Sequence, residues 1–554
     1  MATRGQHNRV YVLRKTTPGV IIIVALLTTL AAYAHTLRFG FRYDDYHVLR
    51  PATTAELLQV LHGSWDPTQI ESAFYRPLTA WWYALRFELF GLNAVAQHAV
   101  SLAGMILCAG LVGLFVRRET ESDRAALFAT GLYAVHPTLA YSQSVWLTNQ
   151  MHLIASLVVL LALLAWQGAR TRSAIAWWPI AMLQIVGFGV KEDLVMLAPL
   201  LLVLSAVRRL MRRDVPWPPW PVTALGLAFP VGLFALRYEM LGRLGGYGPL
   251  PAFDRAWTNF STGLVRVFRQ LPAKRPWEPF VSAFAQALVA AGTVLGLLRR
   301  REAHLLVTGV VLAIAFDAPF VFISKAEQYH LIALGAVLAL TGAVEVLVSL
   351  VPARALKIAL ASALALAFVP FVPLTRNIAD DFAPCSAITL HTDDIVVDWW
   401  VVPTEIRSWL RGKAAACAAG TLTPLPRALR RATWGYGVET DEQGRPFEWT
   451  SERGLIMVPR GTTSVTIEIR RTNASDQAPA TVRVHSGGSS ETLTLTSAEW
   501  RTATVPISAT MGSWLGRMNS VGIDVSPPFI PAEVDAANPD RRHLGVQLRW
   551  VDVK

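Results

Sequence analysis

From residue 18 to residue 375 the chain is a succession of apolar runs, most of them long enough to cross a bilayer. An α-helix rises about 1.5 Å per residue, so roughly 20 apolar residues match about 30 Å of hydrocarbon. The runs fall at 18–37, 92–116, 125–141, 151–168, 174–190, 192–207, 219–237, 278–298, 304–323, 329–350 and 356–375, about eleven in all. Unbroken runs of this length satisfy their backbone polar groups as helices. Composition agrees: 53% of the 554 residues are hydrophobic and 16% are charged, where soluble domains carry roughly 25% charged residues. A disordered chain, a fibre and a single soluble domain are excluded.

The net charge of +12 would suit a nucleic-acid binder if it were gathered on one surface. It is not. Arg4, Arg9, Arg14 and Lys15 precede the first run, and further clusters fall on alternate loops. These are Arg117, Arg118 and Arg124; Arg170 and Arg172; Arg208, Arg209, Arg212 and Arg213; Arg299 to Arg301; and Arg354 with Lys357. The positive-inside rule assigns those loops to the cytoplasm, and nucleic-acid binding loses its support. The first run lacks a convincing small-residue cleavage site and runs past the usual length of a signal-peptide apolar core, so it reads as a retained helix. Residues 38–91, 238–277, everything after about 376, and short turns near 142–150, 191 and 325 are then extracytoplasmic. The alanine- and arginine-rich composition points to a GC-rich bacterial genome, hence to a bacterial cytoplasmic membrane.

Past residue 376 the pattern changes. A connecting stretch over 376–432 leads into a β-rich module over 433–554, leaving 1–375 as the transmembrane domain. Short β-type runs at 464–470, 480–485, 491–495 and 502–507 are separated by turn residues, which suggests a small β-sandwich. Val465, Ile467 and Ile469 alternate with Ser464, Thr466, Glu468 and Arg470, giving that strand one half-buried face. Cys385 and Cys417 both fall in the extracytoplasmic part, where a disulfide or two free thiols are open alternatives.

The chemistry is concentrated where charge interrupts apolar sequence on the outer side. Tyr43-Asp44-Asp45-Tyr46-His47 follows the first run directly. Two adjacent carboxylates near hydrocarbon repel one another, which raises the affinity of one for a proton and suits it to act as a general base. The plain alternative is a solvated juxtamembrane turn. Phe74-Tyr75-Arg76-Pro77-Leu78 and Trp81-Trp82-Tyr83 lie later in the same loop. Arg76 is an interfacial anchor or a bidentate phosphate ligand, and the aromatics suit a helix lying along the membrane surface. Lys191-Glu192-Asp193 divides two apolar runs with almost no loop, and Lys325-Ala326-Glu327-Gln328-Tyr329-His330 forms a second such turn. Ionisable residues in such positions are functional candidates by default, against the alternative of a solvated hairpin.

The order of these motifs resembles that of the polytopic GT-C glycosyltransferases that use polyprenyl-phosphate sugars. It is most similar to the protein O-mannosyltransferase-like branch that includes the tetratricopeptide-linked O-mannosyltransferases. The matching pieces are Tyr43-Asp44-Asp45, Tyr75-Arg76-Pro77-Leu78, Phe90-Gly91-Leu92-Asn93 with His98, His136-Pro137 with Ser144-Val145-Trp146, Lys191-Glu192 and Ala326-Glu327. Three things depart from the pattern. An Arg-Ala-Asp type stretch is replaced by Thr148-Asn149-Gln150-Met151-His152, Gln328 occupies the approach to Tyr329 where the branch has an arginine nearby, and no tetratricopeptide repeats follow.

The resemblance implies an α-helical polytopic GT-C enzyme carrying a C-terminal β-sandwich-like extracytoplasmic domain. It would be an inverting transferase moving a sugar from a polyprenyl-phosphate-sugar donor to a glycan, lipid or protein hydroxyl. Asp44 would be the base, with Asp45 beside it. Arg76, Lys191 and Lys325 would hold the donor phosphate, and Glu192, His98, His136, Glu327 and Tyr329 would orient donor or acceptor. No metal ligand set or cofactor is implied, although Asp44 and Asp45 have the chemistry to share a divalent ion. A lipid-linked glycan polymerase or ligase would share the helices without calling for the Asp pair. A transporter or flippase would show internal repeats and mid-membrane breaks. An assembly protein whose β-module binds glycans needs none of the charged turns.

Overall fold

The computed structural model describes residues 17–39, 45, 48–49, 52, 54–65, 74–91, 93–139, 143, 146–169, 177–211, 219–242, 253–266, 278–298, 303–318, 329–353, 369, 371–373 and 375. In the C-terminal part it describes residues 432–434, 438–441, 443–450, 453–459, 461–486, 488–507, 518–534 and 544–553. Asp44, Lys325, Glu327, Cys385 and Cys417 lie outside these residues, as does nearly all of the expected 356–375 run.

The helices are α1 (Thr17–Tyr33), α2 (Thr54–Gln59), α3 (Pro77–Phe90), α4 (Ala94–Thr120), α5 (Asp123–Ala134), α6 (Gln150–Ala169), α7 (Trp178–Val190), α8 (Leu197–Met211), α9 (Trp220–Leu241), α10 (Phe253–Arg266), α11 (Glu278–Leu298), α12 (His304–Asp317) and α13 (His330–Leu350). Among the described residues, six helical segments are long and apolar enough to cross a membrane: 18–38, 94–120, 147–169, 192–211, 220–241 and 330–350. The chain is a multi-pass membrane protein. Shorter apolar helices cover 178–190, 283–296 and 304–317.

Several boundaries follow from local chemistry. Asn93 caps α4 by accepting from the Ala96 N–H at 3.2 Å, and Ser122 does the same for α5 with Ala125. Between them Glu121 adopts the left-handed conformation (φ 56°), which closes the turn. The 125–141 run yields the 12-residue α5, because Pro137 disfavours helical backbone at His136. The 192–207 run starts as a 3-10 turn over Glu192–Met196, and α8 proper begins at Leu197, with Pro199 in the first turn where it is tolerated. The helix α10, with Phe253 and Trp257 exposed, is an addition to the sequence expectation.

α13 is almost wholly buried and forms the centre of the helical core. It packs on α12 through small residues: a Cβ on Gly309 would collide with the Ala339 backbone, and one on Gly335 would come within 2.8 Å of the Ala313 Cα. Small residues allow this close approach where lipid supplies no hydrophobic drive. α1 buries Ala25, Thr29, Ala32 and Tyr33, and leaves Ile22 and Leu27 about 60% exposed, the division expected of a lipid-facing helix.

At the arginine-rich ends of the helices a buried carboxylate ties four of them together. Glu119 of α4 pairs with Arg208 of α8, accepts from Gln167 Nε2 of α6 at 2.9 Å, and gives its carbonyl to His304 Nε2 of α12 at 2.8 Å. Arg208 also lies over the Trp166 ring, 5.6 Å from its centroid.

Among its described residues the C-terminal part has ten strands: β1 (Ala432–Trp434), β2 (Val438–Thr440), β3 (Pro446–Trp449), β4 (Arg453–Pro459), β5 (Ser464–Arg470), β6 (Ala480–Ser486), β7 (Ser489–Leu495), β8 (Arg501–Pro506), β9 (Met518–Ser526) and β10 (Gln547–Val553). Two antiparallel sheets, ordered β1-β4-β9-β6-β7 and β2-β3-β10-β5-β8, share one apolar core. Val465, Ile467 and Ile469 are fully buried in it, a deeper burial than the alternation of the strand suggests.

Removing one member of a buried ion pair costs about 3–5 kcal/mol, whereas replacing both by apolar groups is far milder. Arg208→Met should therefore lower the midpoint of thermal unfolding in detergent sharply, and Arg208→Met with Glu119→Gln should recover most of it. A double variant no more stable than the single one would contradict this account of Glu119.

Candidate functional site

The charged turns of the sequence converge because α3 docks on the end of α7. Pro77 opens α3 at its first position, where its missing N–H costs nothing. The Thr79 hydroxyl donates to the Val190 carbonyl at 2.8 Å, and Gly189 has no side chain to keep Leu78 away. The N-cap residue Arg76 is thereby brought to Glu192. Its Nε donates to both carboxylate oxygens at 3.0 Å and its Nη2 to Oε2 at 2.8 Å. The Arg76 Nη1 lies 3.1 Å from Met151 Sδ, and the guanidinium stacks 4.1 Å from the Phe74 ring centroid. On the other side of Glu192, Arg237 of α9 reaches Oε1 at 3.8 Å. Lys191, whose N–H donates to the Gly187 carbonyl at 2.8 Å to end α7, pairs with Asp193.

Arg76, Lys191 and Arg237 are each no more than 5% exposed. Among the described residues, three guanidinium or ammonium groups and two carboxylates thus share one buried neighbourhood. Buried cations persist only where paired. The internal carboxylates hold the cations in place, and guanidinium and ammonium groups fixed in this way can meet an anion.

Asp45 heads a second network. It is fully buried, and its Oδ1 accepts from the Thr148 backbone N–H at 2.8 Å and from the Thr148 hydroxyl at 3.0 Å. Tyr83 of α3 donates to the Thr148 carbonyl. Two residues on, Gln150 Oε1 accepts from Arg86 and from Trp82 Nε1, the latter at 3.2 Å, and Gln150 Nε2 donates to Ser101 of α4. Arg86 also donates to the Gln97 carbonyl at 2.7 Å. Burial pushes the Arg86 guanidinium down to about 10, offset in part by the nearby Tyr83 and Asp45, so it is charged at neutral pH. Asp45 therefore pins the first outer loop to the turn before α6.

The structure brings Arg76, Lys191 and Glu192 together as one cluster and assigns Asp45 to the neighbouring one. His98 is buried edge-on to Phe39 with ring centroids 6.4 Å apart. His136 is buried against Phe371 at 6.3 Å, with its carbonyl 3.5 Å from the Tyr33 hydroxyl, in packing between α1, α5 and the 371–375 segment. Tyr329 caps α13 and is 2% exposed. Among the described residues, no group of three or more His, Cys, Asp or Glu side chains is placed to hold a metal ion. Arg237 and the network partners Thr148, Gln150 and Arg86 escape sequence reasoning. Arg237 alone leaves a signal, as a single cation at the end of an apolar run.

Comparison with known proteins finds similarity over the helical part. Residues 75–234 match the family described as dolichyl-phosphate-mannose-protein mannosyltransferase, a span that contains Arg76, Thr148, Lys191 and Glu192. The crystal structure of the apo oligosaccharyltransferase from Archaeoglobus fulgidus superposes with a TM-score of 0.44 at 12% identity, over 75% of this chain and 60% of that enzyme. This chain thus spans about 60% of the enzyme's length. No curated protein sequence matches the chain significantly.

Asp45→Ala leaves two buried Thr148 donors unsatisfied, a loss of about 1–3 kcal/mol or more. Asp45→Asn retains an acceptor oxygen and should cost much less. Thermal unfolding of the two variants checks this, and equal destabilisation would contradict the anchoring role.

Proposed function

We propose that the chain is an inverting glycosyltransferase that moves a sugar from a polyprenyl-phosphate donor to an acceptor hydroxyl. The reaction takes place at the extracytoplasmic face of a bacterial cytoplasmic membrane. The observation that carries this reading is the buried cluster of Arg76, Lys191 and Arg237 around Glu192 and Asp193, drawn from three separate stretches of chain.

The chemistry needs little else. In a polyprenyl-phosphate sugar the leaving group is already a phosphate, so no protein acid has to protonate the glycosidic oxygen. The bond from the anomeric carbon to the phosphate oxygen breaks as the acceptor oxygen forms its own bond from the opposite side, which inverts the centre. The acceptor proton passes to a carboxylate. Asp45 is committed to Thr148, so Asp44, its neighbour in sequence, is the base. Arg76, Lys191 and Arg237, joined by Lys325, stabilise the negative charge that accumulates on the departing phosphate. Glu192 orients Arg76, as a partner that fixes a guanidinium fork does for a phosphate. Tyr329, and Glu327 two residues before it in sequence, orient donor or acceptor, with His98 and His136 supporting the surrounding packing. The polyprenyl tail lies in a lipid-facing groove between helices. The acceptor is a cell-envelope glycan, a lipid or a protein. The 433–554 module supplies a soluble surface on the acceptor side.

Asp44→Asn should lower kcat for transfer from a polyprenyl-phosphate sugar by about 100-fold or more with little change in KM. Asp45→Asn should keep most of the activity. Full activity of Asp44→Asn would overturn the assignment of the base.

A further inference from the structure

Between α9 and α11 the chain forms α10, a helix of 14 residues. It rises about 21 Å, too little to cross the hydrocarbon of a bilayer. Phe253, Trp257 and Phe260 fall at helical spacing on one face, and Asp254, Arg255 and Thr258 fall on the other. The protein leaves the apolar face uncovered. Phe253 is 84% exposed and Trp257 60%, and the Trp257 and Phe260 rings lie 5.9 Å apart along it. The Thr258 hydroxyl donates to the Asp254 carbonyl at 2.8 Å and the Ser261 hydroxyl to the Thr258 carbonyl at 3.2 Å, so the helix satisfies these groups by itself. A contiguous exposed stripe of this kind marks an interaction surface.

The neighbouring helices show what covers it. Arg237 of α9 meets Glu192, so the last turns of α9 stand at the level of the charged cluster. α11 ends at Leu298, directly before Arg299 to Arg301, so it starts on the side of the cluster. α10 is held between those two helix ends and packs on α12. Tyr238 of α9 and Phe280 and Phe284 of α11 are exposed there too, which makes Phe253 and Trp257 part of one aromatic band. Aromatic side chains collect where hydrocarbon meets lipid headgroups. At the other end of α9 Trp220 is exposed as well, 18 residues before Tyr238. That is about 27 Å of helix, close to the roughly 30 Å of hydrocarbon in a bilayer. The uncharged stripe is thus continuous with lipid-facing helices on both sides.

We propose that α10 lies in the plane of the membrane as an interfacial anchor, with its Phe253–Trp257–Phe260 face bound to lipid of the leaflet on the cluster's side. This sets the boundary of that leaflet at Tyr238, next to Arg237, and the Arg76–Glu192 cluster at the depth of the lipid headgroups. The placement holds or fails independently of the glycosyltransferase reading. Under that reading, a phosphate carried on a lipid reaches the cluster by lateral movement.

The test is electron paramagnetic resonance on the full-length protein in nanodiscs of phosphatidylcholine and phosphatidylglycerol. Cys385→Ser and Cys417→Ser leave Cys108, which is buried, as the remaining native thiol. A nitroxide is then attached through Phe253→Cys, Arg255→Cys, Trp257→Cys or Thr258→Cys. Labels at 253 and 257 should collide with dissolved oxygen more than with a water-soluble nickel chelate, at a depth of about 5–10 Å below the lipid phosphates. Labels at 255 and 258 should show the reverse order. Nickel access at 253 and 257 equal to that at 255 and 258 would put the stripe in water and overturn the proposal. Protection of 253 and 257 from both reagents would mean that a second copy or the 433–554 module covers the stripe, and would overturn it equally. In unlabelled protein, the tryptophan emission lost in Trp257→Phe should be emission that lipid brominated on its acyl chains quenches. If brominated lipid leaves that component unquenched, Trp257 is not in lipid and the anchor is refuted.

Discussion

The buried pairing of Arg76 with Glu192 is the interaction on which the working end of this protein depends. A guanidinium that is 5% exposed has no water to solvate it, so its position is set by a carboxylate that meets it with two oxygens. To provide that carboxylate, the 180–204 apolar stretch has to be interrupted, and α7 ends at Val190 with a 3-10 turn before α8. To provide the guanidinium, the first outer loop has to return as α3 and dock on α7. Two long-range folding events are thus fastened at one charged contact.

Around that contact the molecule separates structural work from chemistry. Asp45, Thr148, Gln150 and Arg86 form a hydrogen-bonded brace between the first outer loop, α3, α4 and α6. Glu119, Arg208, Gln167 and His304 form an equivalent brace at the opposite, arginine-rich ends. Between the braces the helices pack through apolar and small residues, with α13 at the centre. A rigid frame of this kind is what a site needs when most of its catalytic power is electrostatic, because donors aimed in advance incur no reorganisation during the reaction.

Much of this was legible in the sequence. Apolar runs announce membrane helices because hydrocarbon tolerates few alternatives, and charges that break such runs stand out for the same reason. Arg76, Lys191 and Glu192 were found that way, and strand β5 was bounded by its alternation. What was hidden is pairing at a distance. Nothing in Asp45 announces that Thr148 will occupy it, and nothing in Glu119 announces Arg208. These partners are made neighbours by helix packing and not by local propensity. The length of α5 is overstated by its apolar run, because the helix stops before Pro137, and α8 starts later than its run, two residues before Pro199.

The account stands on one claim, that the cluster around Arg76 and Lys191 is where the lipid phosphate sits. A cryo-electron microscopy structure of the protein in lipid nanodiscs with a short-chain polyprenyl phosphate tests it directly. The account predicts phosphate density within hydrogen-bonding distance of Arg76 or Lys191, with the prenyl chain leaving between helices. Density for the phosphate at another place, with the Arg76–Glu192 pair untouched by the ligand, would contradict it.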